Sequence, residues 1–407
     1  MPGLGSTSLR SKHVRLIAVA YFVSAAGCST GTPNSGGSAG ESGVGGAPGG
    51  GAAAASGSAD ASGPSDSVAQ KYAGDFPIGA AIGGWHLDNL SAILERDFNH
   101  LTCENAMKTA PIHPAEGTFD WAEADRIADY ARAHGMKLTG HTLLWHQQTP
   151  AWMFAGVTAG DASSLELLKS RLKTHIEAVM DRYADVVDNW DVVNEAISDD
   201  PKKIYRDASE MSKWYELFGS EEYVYWAYRY AHDALEAKSA GSSRGKLYYN
   251  EYTVTLKVDK ILTMFDWLKN ARGIQVHGVG FQSHESLRWP GTSDLQSAFD
   301  KFAAAGYQVK ISELDVTVYD DYSTGTFVPS PVVVLTPELE ATQARRFQSL
   351  FDLYRQNKGL ITSVTFWGIS DDRSWLNNAP VPGRADYPLL YNAAHAPKQA
   401  RGAIMNF

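Results

Sequence analysis

Cysteine is scarce: the 407 residues hold only Cys28 and Cys103, too few for a disulfide framework or a cysteine-rich zinc module. Positive charge is in deficit as well, with 36 Lys and Arg against 46 Asp and Glu, a formal net charge of −10. Nucleic acid is therefore excluded as a default partner, because there is no cationic surplus to displace phosphate counterions. No apolar run reaches the roughly 20 residues that a bilayer core requires, which argues against a spanning protein. Two catalytic signatures are missing too, the phosphate-cradling glycine loop and the His-Glu-x-x-His zinc helix. A Gly-x-Ser-x-Gly run does occur at Gly36 to Gly40, but low-complexity sequence surrounds it. A serine elbow needs a strand before it and a helix after it, so this match carries nothing. Aromatic rings, in contrast, are plentiful: 11 Trp and 19 Tyr. Flat amphipathic rings suit sugar faces or large cores, and composition alone does not choose between them.

Arg10, Lys12 and Arg15 precede a short apolar run, Leu16 to Val23, and the small residues Ser24 to Gly27 lead to Cys28. Residues 1–28 read as a secretory signal, and the small-small-Cys ending resembles a lipoprotein signal that leaves Cys28 lipidated. The expected location is outside the cytoplasm, either secreted or tethered to the outer cell surface. Residues 29–68 are almost wholly Gly, Ser, Ala and Pro. Such a stretch buries too little apolar surface to offset its ordering entropy and reads as a flexible linker.

From residue 69 to 407 short apolar runs alternate with amphipathic helical patterns. The predicted strands are Phe76–Ile82, Asn99–Cys103, Lys137–Leu144, Val186–Val193, Lys246–Asn250, Val276–Gln282, Val309–Glu313 and Ile361–Trp367. A helical stripe runs through Leu165, Leu168, Leu172, Ile176, Val179 and Tyr183. Another helix should begin at Thr336-Pro337-Glu338, with threonine as cap and proline at the first helical position. Eight alternating units predict an α/β fold, a single (β/α)8 barrel with function gathered at the carboxyl ends of its strands.

The polar clusters fall at those ends. They are Thr102 to Lys108, His141 to Gln148, Trp190 to Glu195, Tyr249 to Tyr252, Phe281 to His284, Ile311 to Asp315 and Phe366 to Gly368. Cys103 has no base beside it by motif and reads as a buried, inert thiol. Paired glutamates on the fourth and seventh strands, with indoles and amides nearby, meet the requirements of glycoside hydrolysis.

These segments resemble glycoside hydrolase family 10, the β-1,4-xylanases, across residues 69–407. Trp190-Asp191-Val192-Val193-Asn194-Glu195-Ala196 is similar to the family's acid/base strand, and Ile311-Ser312-Glu313-Leu314-Asp315-Val316 to its nucleophile strand. Gly140 to His146, Gln148 and Thr149 to Trp152 match the third-strand loop, and Trp367 and Trp375 match a tryptophan pair. The resemblance implies a retaining endo-β-1,4-xylanase with Glu195 as general acid/base and Glu313 as nucleophile. His284, Asp315 and Asn194 would support them, with the His284 ring bridging Glu313 and Asp315. Glu104, Asn105, Lys108, His141, Gln148, Asn250, Tyr252 and Gln282 would bind substrate, with Trp145, Trp367 and Trp375 walling the site. No cofactor and no metal is implied; the partners would be xylan and xylo-oligosaccharides, and the protein a monomer. Two departures stand out: Cys103 where the family has proline, and Glu251 where it has aspartate. The rival readings are a related retaining β-1,4-glucanase, a non-catalytic carbohydrate-binding derivative of the barrel, and a metal-dependent hydrolase using His141, His284 and Glu195.

Overall fold

In the computed structural model of the chain, residues 66–237, 245–320, 327 and 332–407 are described. The signal segment, the linker up to residue 65 and much of the loop 318–335 lie outside the described residues.

Among the described residues nine parallel strands form the sheet: β1 (Ile78–Ile82), β2 (His100–Cys103), β3 (Lys137–Trp145), β4 (Val187–Asn194), β5 (Lys246–Glu251), β6 (Gly278–Phe281), β7 (His284–Ser286), β8 (Gln308–Thr317) and β9 (Ile361–Phe366). Neighbours pair in sequence from β1 to β6; β6 then passes over β7 to pair with β8, β8 pairs with β9, and β9 returns to β1. Eight strands thus close a (β/α)8 barrel. A closed parallel sheet wrapped by helices buries both faces, so its strands need not alternate between polar and apolar residues. Every residue of β1, β2 and β6 is buried.

The helices follow the patterns that predict them. In helix Ala162–Arg182, Asp161 caps the start by accepting from the Ser163 N–H, and Leu168, Leu172, Ile176 and Val179 are buried on one face. Each of those side chains contributes roughly 1.5–3 kcal/mol by leaving water. Helix Pro337–Gln356 starts under the Thr336 cap with proline in its first turn. Gly140 in β3 meets a close approach from β4: a Cβ there would fall 2.0 Å from Trp190 Cε3. Glycine is required for that indole to lie against the strand.

Two features depart from the eight-strand expectation. β8 continues to Thr317 instead of ending at Glu313, and β7 is an additional strand beside its upper half, His284 opposite Asp315. Three residues are too few to show any period, so β7 is silent in the sequence, yet its pairing supplies the ladder that lets β8 run on.

Beyond the strand ends the backbone turns sharply. Gln148, Glu195, Thr253 and Ser283 all have positive φ, at 46°, 56°, 48° and 55°, just past β3, β4, β5 and β6. A non-glycine residue pays about 1 kcal/mol or more for that conformation, and such strain concentrates at functional sites. Cys103, at the end of β2, is fully buried, and burial pushes its thiol well above the usual range, as expected of an inert packing residue.

Candidate active site

A cleft of about 510 Å³ opens at the carboxyl ends of the strands. Its lining includes Glu195, the residue directly after β4, and Glu313, within β8. Both carboxylates are almost wholly buried, at 5 % exposure, and a buried glutamate is rare without partners. Their partners differ in kind.

Glu313 is held by charge. Its Oε1 accepts from Asn250 Nδ2 at 2.6 Å, and its Oε2 lies 3.4 Å from His284 Nε2. The other ring nitrogen of His284, Nδ1, is 2.9 Å from Asp315 Oδ2, so the imidazole spans the two carboxylates. Asp315 Oδ2 also accepts from Trp375 Nε1 at 2.8 Å, and the Trp375 ring lies 4.9 Å from the His284 ring. Burial works against the imidazolium, but Asp315 and Glu313 outweigh it and raise His284 to about 10. His284 is therefore a cation at neutral pH. Burial likewise raises Glu313, yet His284, His141 and Lys108 more than offset it and leave the carboxyl below its usual value. Glu313 stays ionised, as a nucleophile must.

Glu195 is held by neutral donors. Trp145 Nε1 donates to its Oε2 at 2.8 Å, and Gln282 Nε2 donates to its Oε1 at 2.9 Å. Asn194 Nδ2 approaches the same oxygen at 3.3 Å, while Asn194 Oδ1 accepts from Gln282 at 3.3 Å and from Asn250 at 3.0 Å. An amide N–H facing a carboxylate and an amide oxygen facing two donors is the orientation that satisfies every group. Three amides thereby join the acid pair, from Glu195 through Gln282, Asn194 and Asn250 to Glu313.

On the far wall Lys108 is 7 % exposed and donates to Asn105 Oδ1 at 3.0 Å. Burial lowers its pKa, while Glu313, Glu104 and Glu195 pull it back up. Burial raises the neighbouring Glu104 carboxyl, with Lys108 opposing. The Lys108 ammonium is 5.1 Å from the Trp145 ring centroid and 5.8 Å from that of Trp367. His141 meets Trp367 edge-on at 5.3 Å and places Nδ1 3.1 Å from Asp191 Oδ2. Gln148 completes this side. The set combines hydrogen-bonding side chains with indole walls, as a neutral, hydroxyl-rich substrate requires.

Two residues expected to touch substrate are not among those that line this cleft. Asn250 is fully buried, does not line the cleft, and spends its amide on Glu313 and Asn194. Tyr252 also stays out of the cleft lining; its hydroxyl donates to Asp199 Oδ2 and accepts from Arg206 Nη2 at 2.7 Å. Other contributors were not foreseen. Asn378, Ala379 and Pro382, beyond β9, line the cleft from a loop with no motif to announce it. Lys310 lies 2.8 Å from Asp191 Oδ1 and so backs His141. A lysine between Val309 and Ile311 in a barrel strand was the available signal, since buried lysine is seldom unpaired.

The charge state of His284 has a measurable consequence. Its folded pKa of about 10 is above the ordinary 6.5, so the stabilisation it brings is complete below pH 6.5 and fades as pH rises toward 10. Thermal melts between pH 6 and 10 should therefore show wild type losing stability more steeply than His284→Gln. Parallel curves would contradict the assignment.

A (β/α)8 barrel with paired glutamates in an indole-walled cleft at the carboxyl ends of its strands defines a glycoside hydrolase. A profile of Glycosyl hydrolase family 10 matches residues 67–407, and the chain belongs to that family. It is 38 % identical over 345 residues to a β-1,4-xylanase of Dictyoglomus thermophilum, covering 84 % of this chain and 91 % of the relative. It is also 38 % identical over 336 residues to endo-1,4-β-xylanase B of Paenibacillus barcinonensis, covering 82 % and 96 %. The crystal structure of an endo-1,4-β-xylanase from Caldicellulosiruptor owensensis superposes with a TM-score of 0.76 at 36 % identity, covering 84 % of this chain and 99 % of that one.

Proposed function

We propose that the protein is a retaining endo-β-1,4-xylanase that cuts internal bonds of xylan through a covalent glycosyl-enzyme intermediate. The observation that carries this reading is the asymmetry of the acid pair. Glu313 touches an imidazolium and is kept anionic, whereas Glu195 receives only neutral N–H donors from side chains. Glu313 attacks the anomeric carbon while Glu195 gives its proton to the departing glycosidic oxygen. Formation of the ester consumes the negative charge on Glu313. Glu195, now deprotonated, then takes a proton from water, which attacks the same carbon and frees the nucleophile. The relatives described above, both β-1,4-xylanases by name, support xylan as substrate. Trp375, held by Asp315 and His284, would in this reading crowd the carbon-5 substituent that glucose carries and xylose lacks. Glu104, Asn105, Lys108, His141, Gln148 and Gln282 bind the sugar hydroxyls.

NMR of a xylan digest at early times should show product in the β configuration, with much slower release from carboxymethyl cellulose. Initial α product would refute double displacement, and equal rates on both polymers would favour a glucanase.

The protein is exported and, in this reading, held at the outer cell surface as a monomer by lipid on Cys28; the signal-like segment that ends at Cys28 supports this. Cys28→Ala should move the enzyme from the membrane fraction into the medium. Retention of the variant in the membrane fraction would contradict the anchor.

A further inference from the structure

Behind Glu195, on the side away from the sugar-binding wall, lies a buried charged cluster that the proposed reaction does not use. Glu251, the last residue of β5, is fully buried. Its Oε2 accepts from the Tyr249 hydroxyl at 2.5 Å and from the Ile197 N–H at 3.3 Å; that same N–H is 2.9 Å from the Tyr249 oxygen. Its Oε1 accepts from Lys257 Nζ at 3.0 Å and from its neighbour's N–H, that of Tyr252, at 3.1 Å. Lys257 continues to Asp199 Oδ1 at 2.8 Å, and Arg206 joins Asp199 Oδ2 at 3.3 Å.

Through these contacts Glu251 reaches the stretch 195 to 199 at two points, the Ile197 N–H directly and the Asp199 side chain by way of Lys257. Glu195 itself is in the left-handed region, with its N–H on the Asn250 carbonyl at 3.0 Å and its carbonyl accepting from Arg206 Nε at 3.1 Å. The Ala196 carbonyl accepts from the Arg206 N–H at 2.8 Å, Ile197 is tied to Glu251, and Asp199 is tied to Lys257. A residue with strained φ keeps it only while its surroundings over-determine it. The clamp fixes the direction of the Glu195 side chain from behind while the cleft hydrogen-bonds it from in front. Burial pushes Glu251 up to about 6, with Lys257 drawing it down and Glu195 adding to the rise, so the two carboxyls feel one another.

We propose that Glu251 is a positioning residue for Glu195, aiming the acid carboxyl at the leaving oxygen by clamping the backbone that follows β4. The proposal rests on the acid/base reading of Glu195. It places the effect of Glu251 on proton transfer to the leaving group and not on sugar recognition, since none of its contacts reaches the wall of Lys108 and Glu104.

Two aryl β-xylobiosides separate these effects. Phenol is a poor leaving group that needs a proton, whereas dinitrophenolate leaves without one, and kcat/KM reports every step through glycosyl-enzyme formation. Glu251→Gln keeps size but turns an amide toward donors. It should lower kcat/KM on the phenyl substrate by about 30-fold and on the dinitrophenyl substrate by less than about 3-fold, the scale of a misaimed general acid. Glu251→Asp retains the charge and withdraws it by one methylene; should the glutamine variant not fold, it carries the test, with a selective loss of about 5-fold. Equal losses on both substrates in the variant that folds, or no loss on either, would overturn the proposal. Glu195→Ala serves as the reference: if it too fell equally on both substrates, the acid/base reading itself would be at fault, and the proposal would fall with it.

Discussion

Glu313→Ala should reduce xylan hydrolysis by about 10⁵-fold, the order lost when a covalent nucleophile is removed and only binding and electrostatics remain. Glu313 is the carboxylate that the fold keeps charged. His284 stands 3.4 Å from it, is itself anchored on Asp315, and is protonated through the neutral range. Removing the side chain also leaves Asn250 Nδ2 without its 2.6 Å acceptor, so some stability should be lost. A melting curve taken alongside the assay separates that loss from the chemical one. Small anions offer a sharper check. Azide seated in the space vacated by Glu313 would attack from the face the nucleophile used, opposite the leaving group, and give α-xylosyl azide. A variant retaining within about 10-fold of wild-type activity would remove Glu313 from the mechanism.

The reach of the sequence can be judged from where these residues sit. Glu195 and Glu313 were legible because each falls at or near the carboxyl end of a predicted barrel strand, where a buried carboxylate needs a reason. The bridge from Glu313 through His284 to Asp315 was legible in part, since residues two apart on a strand share a face. Its register was not: β7 has three residues, and only its pairing sets His284 opposite Asp315. Asn250 and Tyr252 stood in a motif beside the site but turned their polar atoms to protein partners. Proximity in a motif does not say which way a side chain points. The clamp around Glu251 was the least visible part. Lys257 lies on helix Val254–Asp266, Arg206 and Asp199 in the loop after β4, and Tyr249 within β5. No spacing rule joins them, and only the barrel's closure brings them behind one carboxylate. The substitution of glutamate for the family's aspartate at 251 was the one hint, and it did not reveal the partners.

Glu195→Ala should lower kcat/KM on xylan by about 10²- to 10⁴-fold, the contribution of a placed general acid. The loss should depend on what departs. An activated aryl leaving group needs no proton, so glycosylation of Glu313 proceeds almost normally, while deglycosylation is slowed for want of a base. The glycosyl-enzyme then accumulates and appears as a burst of phenolate followed by slow turnover, detectable in the intact protein as one added glycosyl unit. Azide reverses the deficit by a route that Glu313→Ala does not have. It enters where Glu195 stood, attacks the intermediate from the face the leaving group vacated, and yields β-xylosyl azide. Opposite configurations from the two variants would require two carboxylates on opposite faces of one anomeric centre. The amide chain through Gln282, Asn194 and Asn250 holds the pair to that relation, because it fixes Oε1 of Glu195 and Oε1 of Glu313 against a common set of donors. If both variants gave the same azide, or if neither responded to it, the division of labour between Glu195 and Glu313 would be wrong even with the family membership intact.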